Sequence, residues 1–181
     1  MMIPFSFQSA SNDCGPTCLK MMAAYYGCHY EINFLKKKCR IKNAGVSMLN
    51  IHRTAKAIGF HSRGVRLTIE KLKEIVQKHP VILYCNKSHF VIIYRSPKPT
   101  KKGSYYLADP AKGLIKMKES GFIQYWIFGQ TNDTEKRSLI LKKLPVSQPG
   151  YALLLNPANT IKKKAAPEKL AKRGVLLKQR R

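Results

Sequence analysis

Apolar residues recur at helical spacing through the first half of the chain and then give way to short β-branched runs. Cys18, Met21, Met22 and Tyr25 fall at i, i+3, i+4 and i+7, predicting a helix over 14–26 that Gly27 stops. Asn12 and Asp13 are placed to cap it, and Pro16 lies in the first turn, where its missing N–H costs nothing. A second helix is predicted around 31–39, with Ile32, Leu35 and Cys39 on one face. Ser47 caps a third, in which Met48, Ile51, Ala55 and Ile58 recur before Gly59. Thr68 opens a fourth, with Ile69, Leu72, Ile75 and Val76 inward and Pro80 beyond its end. The period then shortens. VILYC at 81–85, HFVIIYR at 89–95, SYYLAD at 104–109 and GLIKMK at 113–118 predict strands divided by turn residues. GFIQYWIFG predicts a short helix with Phe122 and Trp126 on one side, and strand-like LILKKL and YALLL follow the polar stretch QTNDTEKRS. Helices first and an antiparallel sheet second is an α+β order, with no internal repeat.

Composition narrows the class. The 181 residues are 44% hydrophobic, enough for a real core and too many for a disordered polycation. No apolar run approaches the ~20 residues a membrane helix needs, and MMIPFSFQSASN does not read as a secretory signal. Lys and Arg number 34 against 9 acids, a formal charge of +25, which suggests nucleic acid. Part of that charge is local: from Lys162 to Arg181 there are nine bases and one acid, Glu168. The chain is therefore divided into a body, residues 1–157, and a basic, flexible tail, residues 158–181. The tail suits a solubilising or membrane-surface role better than RNA, because the body has no RNA-binding strand signature, zinc-finger spacing or helix-turn-helix. Five cysteines at 14, 18, 28, 39 and 85 point to a reducing compartment rather than a disulfide framework. Cys14, Cys18 and Cys28-His29 lack the paired spacing of structural zinc, and neither metal nor cofactor is expected.

One cysteine stands apart. Cys14 begins a helix, where free N–H groups and the positive dipole end favour a thiolate, and Gly15 keeps the approach to sulfur open. Any of His29, His52, His61, His79 and His89 is a possible base, and His89 is the outstanding candidate, at the entry to the buried FVIIY strand. Asp109 ends the next strand, where antiparallel pairing brings it beside His89 to fix the useful tautomer. Gln8, six residues before Cys14, is an oxyanion donor candidate together with the Cys14 N–H. Cys18, one turn after Cys14, reads as core rather than as a resolving thiol; Asp13 reads as a cap, through the Gly15 N–H. Phe122 and Trp126 read as packing, and the other four histidines as surface residues.

Gln8 with NDCGPTCLKMMAAYYG, then GVSMLNIHRTAKAIGF, SHFVIIY, LADPAKG, FIQYW and ALLLNP, resembles the bacteriocin-processing cysteine peptidases, the double-glycine leader peptidases found at the N-terminus of peptide-exporting ABC transporters. The resemblance runs from about Phe7 to Pro157. It implies a papain-like fold, N-terminal helices packed on a C-terminal antiparallel sheet, and cleavage of a leader after Gly-Gly or Gly-Ala. It also implies Cys14 as nucleophile, His89 as general base and acid, Asp109 as orienting carboxylate and Gln8 as oxyanion donor. The implied partners are the leader peptide and transporter membrane and ATPase domains or a separate exporter, at the cytosolic face of the membrane. No GxxxxGK[ST] phosphate loop occurs in this chain. Two further readings stay open: a leader-binding module that does not cleave, and, on charge alone, an RNA-binding protein.

Overall fold

The computed structural model describes residues 2–43, 45–86, 88–128 and 149–158. Three helices come first: α1 (Cys14–Tyr25), α2 (Ile32–Cys39) and α3 (Met48–Ala57). Strand β1 (Phe60–Leu67) and helix α4 (Ile69–Val76) follow, then β2 (Val81–Cys85), β3 (His89–Arg95), β4 (Ser104–Asp109) and β5 (Gly113–Lys118). Helix α5 (Glu119–Ile123) runs into a π-helical turn, Gln124–Phe128, and β6 (Gly150–Pro157) is the last element described.

The helix boundaries follow from side chains that local rules identify. Ser47 Oγ accepts from the Asn50 N–H, and Thr68 Oγ1 from the Lys71 N–H, so these two predicted caps are made, whereas α1 has no side-chain cap bond. The turn glycines Gly27, Gly45 and Gly59 all have positive φ, the backbone region that a Cβ disfavours.

All six strands join one antiparallel sheet in the order β1-β6-β2-β3-β4-β5. Its faces carry separate cores. Ile82, Phe90, Ile92, Ala108, Leu153 and Leu155 pack with α1, α2 and α3. Leu83, Val91, Ile93, Tyr105, Leu107 and Ala152 pack with α4, α5 and the π turn. Alternate residues of β2 and β3 thus enter opposite cores, which is why these strands read as unbroken apolar runs rather than alternating ones. The expected order of N-terminal helices and then sheet is borne out, with one strand, β1, not foreseen.

In β1 only Phe60 and Leu67, its two ends, are buried. Among the described residues it is an edge strand with one partner, β6, paired from Phe60↔Pro157 to Leu67↔Gly150. Nothing local in FHSRGVRL announces a strand; a partner some ninety positions away makes it one. LILKKL lies outside the described residues, whereas YALLL forms the centre of β6.

Candidate active site

The first turn of α1 places Cys14, which is 4% exposed, at the helix N-terminus. Thr17 anchors that turn by donating its hydroxyl to the Asp13 carbonyl at 2.8 Å. Gly15 has a different reason from the expected one. A Cβ on it would lie 2.5 Å from Val46 Cγ1 and 2.6 Å from Ile51 Cδ1, so its lack of a side chain lets α1 sit close against α3. Asp13 also departs from expectation, because no side-chain cap is made. Its buried carboxylate turns back instead, accepting from the Ser9 hydroxyl at 2.7 Å, the Ala10 N–H at 3.2 Å and Lys36 Nζ at 3.0 Å.

His89 opens β3 and Asp109 closes β4, so adjacent strands present them at one end of the sheet. The Nε2–H of His89 donates to Asp109 Oδ1 at 2.8 Å. That bond occupies Nε2 and leaves Nδ1 as the ring nitrogen for Cys14, to which His89 is also hydrogen-bonded. Burial by itself lowers the pKa of His89, but the hydrogen bonds to Asp109 and Cys14 and the charges of both outweigh it, holding the value up at about 9.

Asp109 is fully buried and accepts from three donors among the described residues. Oδ1 also accepts from the Ala111 N–H at 2.8 Å, and Oδ2 accepts from the Tyr125 hydroxyl at 2.9 Å. Burial opposes the ionised form, yet the bonds from His89, Ala111 and Tyr125 and the His89 charge hold the carboxyl below its usual range. Tyr125 is the residue that sequence reasoning missed. It lies in FIQYW, between Phe122 and Trp126, which stack on one another as packing residues should. Its own pKa is pushed far up, by burial and then by the nearby Cys85 and Asp109, so it remains a donor.

Gln8 joins the site from the loop before α1. Its N–H donates to the Pro110 carbonyl at 2.9 Å, docking that loop on the turn directly after Asp109. Its Oε1 is buried without a hydrogen-bond partner among the described residues.

The structure thus gathers Cys14, His89, Asp109 and the Gln8 loop. The other histidines are elsewhere. His52 Nδ1 pairs with Ser62 Oγ at 3.0 Å, rather than standing alone at the surface, and His29, His61 and His79 are solvent-facing. Cys18 is fully buried in the helix-side core, and burial first, then the negative charge of neighbouring groups, pushes its thiol well above the usual value. No group of three or more His, Cys, Asp or Glu that could hold a metal occurs among the described residues.

Chemically, a thiol in contact with an imidazole that a buried carboxylate orients is a nucleophile, base and orienting-group arrangement. Two comparisons agree with it. The profile of the peptidase C39 family matches residues 2–131. Among curated proteins, the colicin V secretion/processing ATP-binding protein of Escherichia coli is 27% identical over 124 residues, covering 68% of this chain and 17% of its own length. The lactococcin-G-processing and transport ATP-binding protein of Lactococcus lactis is also 27% identical over 124 residues, covering 66% and 17%. This chain therefore spans about a sixth of the length of those relatives.

Solved structures agree on the fold. A double-glycine-motif protease from an AMS/PCAT transporter, in complex with its leader peptide, superposes with a TM-score of 0.63 at 24% identity, over 87% of this chain and 93% of that one. The peptidase domain of the Streptococcus bifunctional ABC transporter ComA gives 0.65 at 23% identity, over 84% and 96%. With the profile match spanning most of its length and the fold in common, the chain belongs to the peptidase C39 family and is a cysteine peptidase.

Proposed function

We propose that this chain cleaves leader peptides after a Gly-Gly or Gly-Ala pair, releasing bacteriocin-like or other peptides for ABC-type export. The observation that carries the reading is the Cys14–His89–Asp109 relay, with Nε2 of His89 committed to the carboxylate and Nδ1 left to the thiol. The Cys14 thiolate attacks the carbonyl of the second small residue. The Gln8 side-chain amide and the Cys14 N–H stabilise the resulting oxyanion. Protonated His89 passes its proton to the leaving amine, and the C–N bond breaks to leave a thioester. Neutral His89 then takes a proton from water, which attacks the thioester and restores the thiol.

Two surface features support a peptide substrate. Phe7 (68% exposed) and Leu114 (59%) leave large apolar side chains in solvent, Phe7 beside Gln8 and close to Gly113. They offer apolar contacts to an amphipathic leader helix next to the cleft. The excess of bases over acids attracts an acidic leader and speeds its encounter. The partners in this reading are the leader peptide and transporter membrane and ATPase domains, or a separate exporter, at the cytosolic face of the membrane. Residues 158–181 are read as a basic tail that contacts the anionic membrane surface. No helix among the described residues is long and apolar enough to cross a membrane.

The test is incubation with a synthetic leader peptide containing Gly-Gly, followed by mass spectrometry. Cleavage after the second glycine, abolished in Cys14→Ala and His89→Ala, is the expected result. Saturable binding of the leader without cleavage would make the chain a recognition module instead.

A further inference from the structure

The side-chain oxygen of Gln8 has no hydrogen-bond partner among the described residues, so the aim of its amide depends on how its loop is held. Within that loop the Asp13 N–H donates to the Ala10 carbonyl at 3.3 Å and Asn12 Nδ2 to the Lys42 carbonyl at 3.2 Å, and two further ties lie nearest Gln8. One is the Gln8 N–H bond to the Pro110 carbonyl. The other is the Asp13 carboxylate, which collects the Ser9 hydroxyl, the Ala10 N–H and Lys36 Nζ. Ser9 and Ala10 directly follow Gln8, and Asp13 directly precedes Cys14. The same carboxylate therefore fastens the residues next to one end of the oxyanion site to the residue before the other.

A fully buried carboxylate is costly unless donors and a counter-charge surround it. Burial pushes the Asp13 carboxyl up, but the bonds from Ser9, Lys36 and Ala10 and the charge of Lys36 reverse this and hold it ionised below its usual range. Among the described residues, Lys36 is the one cation in this cluster. It arrives from a separate element, α2, and also reaches Ser9 Oγ at 3.5 Å. Its side chain is 29% exposed, against 0% for Asp13, so its ammonium approaches from the solvent side. The lysines beside it do other things: Lys37 is solvent-facing, and Lys38 lies over the Phe34 ring.

We infer that Lys36 is a positioning residue for the oxyanion site. By fixing the Asp13 carboxylate it holds the Ser9–Ala10 turn, and so sets where the Gln8 amide stands relative to Cys14. Its charge also offsets that of Asp13 beside the nucleophile. This rests on the reading of Gln8 as oxyanion donor.

The experiment measures kcat and KM of the full chain on a synthetic Gly-Gly leader peptide. The variants are Lys36→Met, Lys36→Arg, Gln8→Ala and the double variant Gln8→Ala/Lys36→Met. Misplacing an oxyanion donor affects the transition state and not the bound substrate, so Lys36→Met lowers kcat about tenfold with KM changed less than about twofold. Lys36→Arg, which keeps the charge, restores most of the rate. In the Gln8→Ala background there is no amide left to misplace, and Lys36→Met costs less than about twofold. An equal loss in both backgrounds, or a loss confined to KM, overturns the inference, because a merely structural ion pair behaves in that way. Should Lys36→Met fail to fold, Asp13→Asn carries the same comparison. Asparagine keeps one acceptor, for the Ala10 N–H, and turns an N–H toward the Ser9 hydroxyl, which then accepts, while the ion pair to Lys36 is broken; the same kcat loss and the same dependence on Gln8 are expected. If Gln8→Ala itself leaves kcat intact, the oxyanion reading has failed and the role of Lys36 falls with it. If the unaltered chain does not cleave the peptide, the proposed function fails before either.

Discussion

Among the described residues Asp109 holds three donors on two oxygens, and two of them, His89 and Tyr125, have separate consequences. The bond from His89 ties the acid–base group to a buried negative charge, and it is a main reason that the imidazolium persists to about pH 9. In the proposed reaction, His89 below that value carries the proton for the leaving amine, and above it the proton is gone. The rate at limiting substrate is therefore expected to fall on the alkaline side with a midpoint near pH 9. Asp109→Asn removes the charge, so the midpoint moves down toward the ordinary histidine value of about 6.5, with a rate loss of roughly tenfold to a hundredfold. An unmoved alkaline limb in that variant would mean that Asp109 does not act through His89. Stability has the same sign: the contribution from charged His89 is complete below the unfolded value of 6.5 and is lost as pH rises through about 9.

Tyr125 acts at the opposite end of the pH range. Its hydroxyl helps hold the Asp109 carboxyl below the unfolded value of 3.8, so the stability it supports is present above that value and lost as pH falls through the folded one. Tyr125→Phe weakens the depression. Acid unfolding followed by circular dichroism should begin at higher pH, with about 1.5–3 kcal/mol lost near neutrality. An unchanged acid midpoint would show that Ala111 and His89 suffice. Cys14, His89 and Asp109 were legible in the sequence because each sits at the end of an element whose periodicity is plain. Tyr125 was not, since a tyrosine between Phe122 and Trp126 has the look of one more packing residue. Only the fold reveals that its hydroxyl ends on Asp109. Asp13 misled for a related reason: a helix-preceding aspartate is usually a cap, and the competing donors Ser9 and Lys36 come from outside the helix.

Among the elements, the π-helical turn and β6 form the least obvious support of the site. Trp126 Nε1 donates to the Tyr151 carbonyl at 3.0 Å, fastening the turn that bears Tyr125 to the start of β6. Gly150 makes room for this, because a Cβ there would fall 2.3 Å from Trp126 Cε2. Gly150→Ala must therefore displace the indole. The expected cost is about 1–3 kcal/mol of stability, as for other overpacked cores. The single tryptophan of the chain reports the displacement directly, as a shift in its emission maximum. Unchanged emission together with unchanged stability would show that the turn moves freely on β6. Helix α1, the strands β2 to β5 and both hydroxyl caps were predicted from local pattern, since their burial on one or two faces is written in their own residues. Strand β1 was not, because its pairing is made by β6 and its own middle is polar.

For the molecule as a whole, the sheet divides two cores and carries the His89–Asp109 pair at one end, where the helix bearing Cys14 meets it. The proposed catalytic geometry is thus built from buried parts, while the charge of +25 comes from an excess of bases along the chain, part of it beyond residue 157. These two features belong to different steps of a reaction. Long-range attraction acts on encounter and is screened within about 8–10 Å at ordinary ionic strength, whereas the His89–Asp109 pair is shielded from salt by its burial. For an acidic leader peptide, raising the salt from low to physiological and beyond should lower kcat/KM several-fold while kcat stays constant. For a leader whose acids are replaced by glutamine the salt dependence should nearly vanish. Ending the chain after residue 157 separates the two sources of charge. If the body steers the leader, the salt slope survives the deletion, and binding to anionic vesicles is lost instead; if the slope disappears with the tail, the body contributes no steering and the basic surface serves another purpose.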